Sequence, residues 1–303
     1  MNGVIVLDKP AGFTSFDVVA VLRGLSKEKK IGHTGTLDPM ATGVLPLLLG
    51  RAAKAADLLP DGDKSYRAEF LLGRRFDTGD TTGRLLETDE TPVSREALES
   101  AMAGFRGDMM QTPPMYSAVS VNGQRLYKLA RQGIQVERHP RPIHIDELEL
   151  EAYDGASRRG VLLVSCSKGT YIRALIEDIA RAAGTLGAMS ALRRTRACGF
   201  SIEEAVPLEE LRALGAGEPL EQMLRPVDSL FLGYPRTAVS GPQETRFRNG
   251  GFLDLGRLRL GEEALEQGQR IRVYGPKGEF LGLGRVNLAE ERMEFLKLFA
   301  ENG

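Results

Sequence analysis

The fifteen-residue run Gly32-His33-Thr34-Gly35-Thr36-Leu37-Asp38-Pro39-Met40-Ala41-Thr42-Gly43-Val44-Leu45-Pro46 constrains this chain more than any other stretch. It carries one carboxylate, Asp38, among three glycines and two prolines. That composition argues against an ordinary helix or strand. Pro39 pushes Asp38 out of the α region into an extended conformation. Gly32, Gly35 and Gly43 permit backbone angles or close approaches closed to other residues. A stiff loop presenting a single carboxylate suits an enzyme that holds a nucleophile against a bulky substrate. On local chemistry alone a plain turn stays open, because Asp-Pro pairs commonly start turns.

The 303 residues allow two domains or one large one. No stretch approaches the ~20 apolar residues of a membrane span, and Met1-Asn2-Gly3-Val4 has no signal-peptide pattern. A cytoplasmic protein is expected. Cys166 and Cys198 lack metal-ligand spacing and read as buried thiols. The net charge of -1 argues against a uniformly basic nucleic-acid binder. The distribution says more. From Arg23 to Lys54 there are six basic and two acidic residues, and from Cys166 to Cys198 again six and two. Such clusters fit a phosphate-binding footprint or a solvated charged face.

Val4–Leu7 reads as a short buried strand. Thr14 or Ser15 can cap a helix with Val18, Val19, Leu22 and Leu25 on one face. Leu45–Leu49 is an apolar run ending at Gly50, and 51–59 reads as a helix stopped by Pro60. Residues 66–72 alternate as a half-buried strand, and 74–83 reads as a loop. Helices are expected over 94–102, over 124–132 with Gly133 as the stop, and over 171–183. Strands over 143–153 and 160–167 should pair antiparallel. Strands and helices mix without βαβ alternation, which favours an α+β fold with a mixed, mainly antiparallel sheet flanked by helices. After about Pro235 short apolar runs alternate with glycines, as in Phe280-Leu281-Gly282-Leu283-Gly284, the texture of a small β-barrel. The expected division is 1–236 and 237–303.

The Asp38 run resembles a motif of the TruB family of tRNA pseudouridine synthases, G-H-x-G-x-L-D-P-x-A-x-G-x-L, and meets every fixed position. Further blocks are similar and stand in the family's order. They are Gly3-Val4-Ile5-Val6-Leu7-Asp8-Lys9-Pro10-Ala11-Gly12-Phe13-Thr14-Ser15, Gln111-Thr112-Pro113-Pro114-Met115-Tyr116-Ser117-Ala118, Ser165-Cys166-Ser167-Lys168-Gly169-Thr170-Tyr171-Ile172-Arg173, and Leu192-Arg193-Arg194-Thr195. The resemblance spans nearly the whole chain, with a C-terminal part similar to the PUA domain, a small RNA-binding fold.

The resemblance implies a cofactor-independent isomerase that turns uridine 55 of the tRNA T-loop into pseudouridine, with the T-arm as partner and a monomeric, membrane-free protein. Asp38 is implied as the catalytic residue, through attack at ribose C1′, deprotonation at C2′ or attack on the base. Arg173 pairs with it, and a guanidinium suits that task because its planar fork holds a carboxylate bidentately. Tyr66 stacks on an extruded uracil, with Leu192 beneath the base and Tyr171 as a second pocket aromatic. His33 organises the flipped loop, and Asp80 helps hold the flipped nucleotides. Lys9, Lys30, Lys54 and Arg193 are candidates for phosphate contact.

Two other readings compete. One is a non-catalytic RNA-binding or RNA-folding protein on the same scaffold. The other is a glycoside hydrolase with Asp77 or Asp80 as general acid beside Asp38. No metal is expected: the three histidines, His33, His139 and His144, form no H-E-x-x-H, and there is no P-loop.

Overall fold

Two strands that are apolar at nearly every position form the centre of the protein, which a computed structural model describes over residues 1–59, 64–214, 218–260 and 265–300. Gly3–Lys9 and Thr42–Leu49 pair antiparallel from Gly3↔Leu49 to Lys9↔Gly43. Ile5, Leu7, Leu45, Leu47 and Leu49 pack on one core with Val18, Val19 and Leu22 of the Ser15–Ser26 helix. Val4, Val6, Val44 and Leu48 pack on a second core behind them. A strand covered on both faces has no polar side to show, so its sequence reads as a continuous apolar run.

Among the described residues the main sheet has ten strands. Its path runs Val206–Pro207, Gly3–Lys9, Thr42–Leu49, Gly187–Ala197, Lys64–Leu72, Arg159–Cys166, Arg141–Asp154, Gly107–Gln111. Ile31–His33 pairs beside Thr42–Leu49, and Phe200–Ser201 beside Gly187–Ala197. All neighbours are antiparallel except Val206–Pro207 on Gly3–Lys9 and Gly187–Ala197 on Thr42–Leu49. The second parallel joint holds only two residue pairs, Arg193↔Thr42 and Arg194↔Gly43. Tyr66, Ala68, Phe70 and Leu72 alternate onto the first core, under helices Arg95–Met102 and Ile172–Ala182.

A second sheet follows the order Arg236–Ala238, Arg270–Tyr274, Phe280–Asn287, Arg292–Leu298, Leu253–Asp254. Among the described residues its two edge strands do not pair with each other, so it is a curled half-barrel. It docks on the back of the main sheet. Leu283 and Phe299 join Val4, Val6, Leu48 and Phe231 in the second core, and Arg270 donates to the Leu58 carbonyl at 2.9 Å. The architecture is therefore α+β with a mixed, mainly antiparallel sheet and a PUA-like C-terminal sheet. No helix among the described residues is long and apolar enough to cross a membrane.

Several local expectations are corrected. The Asp38 run is strand at both ends, Ile31–His33 and Thr42–Leu49, and irregular only between. Pro46 is tolerated in a strand because its carbonyl accepts from Thr34, away from Val6, beyond the end of the Arg193–Arg194 ladder. Gly32 has neither a positive φ nor a close neighbour. The helix expected over 51–59 is a 3₁₀ segment, Gly50–Ala55, and Pro60 lies outside the described residues. The helix expected over 124–132 shrinks to Leu126–Arg131. Asn122 and Gly123 both adopt positive φ and turn Ser120–Val121 onto Gln124–Arg125 as a tight hairpin. Arg74–Phe76, expected as loop, pairs with Leu85–Thr88. Cys198 is only partly buried, whereas Cys166 is buried; neither is in a disulfide.

Lys9, a candidate for phosphate contact, is fully buried. Its ammonium donates to the carbonyls of Pro10 (2.9 Å), Phe13 (2.6 Å) and Pro39 (3.4 Å), so it ties the Asp38 loop to the first strand. Burial pushes it down to about 8, with Asp38 opposing the shift and Arg194 adding to it.

Two expectations follow from this framework. Gly43 has φ +105°, and a Cβ there would sit 2.1 Å from the Arg194 carbonyl oxygen. Gly43→Ala should destabilise the protein by about 3 kcal/mol or more, read as a lower urea midpoint. The unfolded chain keeps the Lys9 proton to 10.5 and the folded chain only to about 8, so folded stability rises as pH climbs through that window. The difference in thermal midpoint between wild type and Lys9→Met should grow from pH 8 to pH 10; a flat difference would contradict this account.

Candidate active site

The loop around Asp38 is held from several sides before any partner reaches its carboxylate. Thr14 caps the Ser15–Ser26 helix in a capping box with Asp17. The next residue, Ser15, accepts from the Leu37 amide at 2.9 Å. The Asp38 carbonyl accepts from Ala41, closing a turn, and the Pro39 carbonyl accepts from Gly12 at 2.8 Å. The D-K-P-x-G-x-T-S block near the N-terminus is thus a brace for this loop: Lys9, Gly12 and Ser15 all bond to it.

Arg173 arrives on the second residue of helix Ile172–Ala182. Its Nε lies 2.9 Å from Asp38 Oδ2, and its Nη2 donates to Asp38 Oδ1 at 3.3 Å. Both carboxylate oxygens are engaged by one guanidinium, the fork geometry expected of an arginine–carboxylate pair. The Arg173 side chain is 6% exposed and that of Asp38 is 34% exposed. The carboxylate therefore keeps an open edge while its partner is enclosed. Arg173 also donates to the carbonyls of Thr78 (2.7 Å) and Tyr116 (2.8 Å). Every side of the guanidinium is occupied, which is how a buried charge is tolerated.

Asp80 lies behind Arg173, 3.9 Å from its Nε. Its Oδ1 accepts from Thr78 Oγ1 (3.0 Å), Thr82 N (3.0 Å) and Thr82 Oγ1 (2.5 Å). These bonds tie the Asp80 carboxyl into its own turn, against Arg173. Asp77 accepts from the Arg84 amide and faces Arg84. Both acids are thus held by donors within the 77–84 turn, and among the described residues neither hydrogen-bonds to Asp38. The 78–83 turn docks on Met189 through Gly79 and Thr81, and Gly79 adopts φ +77° against Arg173 and Glu177.

Tyr66 and Leu192 lie under the loop, both buried in the first core with Leu37 and Ala41. Tyr66 stands directly opposite Arg194 on the neighbouring strand, and Leu192 opposite Ala68, so the two are diagonal neighbours on one face. Burial pushes the Tyr66 phenol up, Arg194 offsets part of this, and the Asp38 charge adds to it. The phenol stays protonated through the neutral range. Tyr171 caps the Arg173 helix and is clamped at its backbone by Gln111, which accepts from its amide (2.8 Å) and donates to its carbonyl (3.1 Å). His33 ends the Ile31–His33 strand. Burial pushes its imidazole below the usual 6.5, and Arg194 and Lys64 push the same way, so the ring is neutral at neutral pH.

The basic candidates separate. Arg193 is already paired with Asp8, at 2.7 and 3.2 Å, and donates to Thr42 Oγ1 at 3.2 Å. Lys54 is exposed but follows the far end of Thr42–Leu49, roughly 20 Å or more from Asp38 at strand rise. Lys30 is at that same end, its carbonyl accepting from Gly50. Sequence reasoning passed over Gln111, Thr78 and Tyr116, which act through backbone or amide groups and leave no charge signature. It also passed over Arg194, whose neighbour Arg193 drew the attention. Arg194 is fully buried and donates to the carbonyls of Val44 (2.7 Å) and Gly35 (3.3 Å), gripping the Asp38 loop on both flanks. Among the described residues no group of three His, Cys, Asp or Glu converges as a metal site.

Comparison with known proteins bears on this geometry. Residues 23–172 match the family model described as "TruB family pseudouridylate synthase (N terminal domain)", and 173–232 match "tRNA pseudouridylate synthase B C-terminal domain". Relatives named tRNA pseudouridine synthase B include one from Pseudomonas fluorescens, 46% identical over 253 residues and covering 82% of each chain. Another, from Lactobacillus delbrueckii subsp. bulgaricus, is 41% identical over 286 residues, 92% of this chain and 95% of the relative. A third, from Heliobacterium modesticaldum, is 47% identical over 283 residues, 90% and 92% of the two chains. Among solved structures, a chain in "Crystal Structure of a Cbf5-Nop10-Gar1 Complex" matches with a TM-score of 0.77 at 26% identity, covering 98% of this chain and 85% of that one. The fold also matches a chain in "Structure of H/ACA RNP bound to a substrate RNA containing 2'-deoxyuridine", TM-score 0.75 at 24% identity, covering 99% and 85%. With the family models and these relatives spanning most of its length, the chain belongs to the TruB family of pseudouridylate synthases.

Proposed function

We propose that this protein isomerises uridine 55 in the T-loop of tRNA to pseudouridine, with Asp38 as the catalytic carboxylate. The observation that carries the reading is the Arg173 fork on Asp38, which orients the carboxylate while leaving it one-third exposed. The names of the relatives support tRNA as the substrate.

The reaction breaks the bond between ribose C1′ and uracil N1 and forms one between C1′ and C5. The C5 proton is lost and N1 gains one, so the product has the atoms of the substrate and no cofactor is consumed. A uridine stacked in a folded loop has to be extruded first. Attack at C1′, deprotonation at C2′ and attack on the uracil all need an oriented carboxylate with a free edge, which the Asp38 geometry supplies. Tyr66 offers a ring to the extruded base and a protonated phenol; stacking of this kind is worth ~1–3 kcal/mol. Leu192 and Tyr171 complete the pocket, and neutral His33 meets the opened loop. Asp80 serves as a positioning residue behind Arg173. Residues 1–236 form the catalytic unit and 237–303 the RNA-binding unit of a monomer. Lys30 and Lys54 are exposed for phosphates along the arm, and Arg193 joins them if it leaves Asp8.

Asp38→Asn should lower kcat on a T-arm stem-loop by at least roughly 10³-fold while tRNA Kd stays within about threefold, since the change removes chemistry and no phosphate contact. Near-wild-type turnover by this variant would sink the assignment. Arg173→Lys keeps the charge but loses the fork, and kcat should fall about 10²-fold. Mapping pseudouridines in tRNA from cells with and without the protein should show position 55 changing; loss at another position instead would reassign the target.

A further inference from the structure

Several cationic and polar groups converge beside Asp38 with no negative partner. Gly35 stands three residues before Asp38. A Cβ built on it would meet Lys64 Nζ at 3.0 Å and Arg194 Nη1 at 3.8 Å, so two cations crowd the position that a side chain would take. Arg194 is fully buried; its Nε and Nη2 are taken by the Val44 and Gly35 carbonyls, and its Nη1 has no hydrogen-bond partner. In the adjoining residues His33 Nδ1 and Thr34 Oγ1 are also buried and unpartnered. Arg173 has Asp38 and Arg193 has Asp8, but among the described residues neither Lys64 nor Arg194 forms an ion pair.

Buried polar groups in folded proteins are nearly always satisfied, and buried charges are nearly always paired. Water can fill a missing hydrogen bond, but it brings no charge to balance two cations. Burial lowers the Lys64 ammonium, and the Arg194 charge lowers it further. The surrounding loop is partly open, since His33, Thr34 and Gly35 are partly exposed and Thr36 is exposed, while the unpartnered atoms themselves are buried beneath it. The missing component is an anion that accepts several hydrogen bonds at once, and a phosphate oxygen set does so.

We propose that Gly35, Lys64, Arg194, His33 and Thr34 form a cradle for one phosphate of the RNA strand at the nucleotide being isomerised. The proposal rests on the RNA-modifying function inferred above. Extruding a nucleotide over Asp38 brings its own backbone to the loop that carries Gly35, and a bare α-carbon lets a phosphate lie against the protein main chain. The cradle would fix the ribose from its phosphate side while Arg173 fixes the carboxylate, so the reacting atoms are aligned from both ends.

The test uses T-arm stem-loops in which each phosphodiester within two nucleotides of the target is replaced singly by an uncharged methylphosphonate. In wild-type enzyme one position should lower kcat/KM by about tenfold. Lys64→Met should lower kcat/KM on the unmodified stem-loop to a similar extent and show no further loss at that one position, while penalties elsewhere persist. Gly35→Ala needs no left-handed backbone and places a methyl 3.0 Å from Lys64 Nζ, so it should give the same non-additivity. Position penalties identical in wild type and both variants overturn the proposal, and so does a scan with no penalised position. Inorganic phosphate is titrated against free enzyme, followed by the His33 ring signals in NMR. Saturable binding there, with no position-specific penalty in the RNA, assigns the cradle to a free anion and also overturns it. If wild-type enzyme makes no pseudouridine in the unmodified stem-loop, the functional reading has failed and the proposal falls with it.

Discussion

The joint between Gly43 and Arg194 is the constraint on which the rest of the molecule depends. The main sheet has two halves, one built on Gly3–Lys9 and Thr42–Leu49, the other on Gly187–Ala197 and Lys64–Leu72. They meet through only two parallel pairs. At that point the Arg194 backbone comes so close that only glycine fits opposite it. The approach sets Asp38, just before the joint on one side, against Tyr66 and Leu192 on the other. The candidate active site is therefore the seam of the sheet, and its precision is inherited from backbone packing.

Charge is distributed around this seam in an uneven way that physical chemistry makes informative. Arg173 is enclosed, yet it is compensated by a carboxylate and two carbonyls. Losing a partner from such a pair costs far more than the pair contributes to stability, because a desolvated charge is left behind. Arg193 pairs with Asp8 at a half-exposed site, where an ion pair contributes little. Arg194 is the most deeply buried of the three and has only carbonyls. Burial lowers Lys9, His33 and Lys64, and the Arg194 charge adds to the shift of each.

Much of the fold could be read directly. A helix cap at Thr14 or Ser15, the alternation of residues 66–72, and the buried strand at Val4–Leu7 carry their structure in local pattern. The pairing of Arg173 with Asp38 was expected from family resemblance and is present in the fold. Other features were not legible. Lys9 looks like a surface base in sequence, because a lysine's letter does not say whether three carbonyls surround its ammonium. Arg193 and Arg194 differ by one position, and strand alternation sends one toward Asp8 and the other into the core. Gln111 and the Tyr116 carbonyl lie 60 and 57 residues from the groups they hold, a separation that no local pattern records.

By itself the sequence determined that Asp38 sits in a turn of restricted backbone, that Val4–Leu7 is a buried strand, and that Leu45–Leu49 is a compact apolar run. These follow from the steric limits of proline and glycine and from hydrophobic periodicity, which act over a few residues. Only the tertiary structure decided which basic side chains face the loop, which are spent as struts, and that Lys64 and Arg194 converge on Gly35 without a counter-ion. Those outcomes depend on strand register and on the Gly43 joint, where a shift of one residue would exchange Arg193 with Arg194 and move the uncompensated charge from the site to the opposite face.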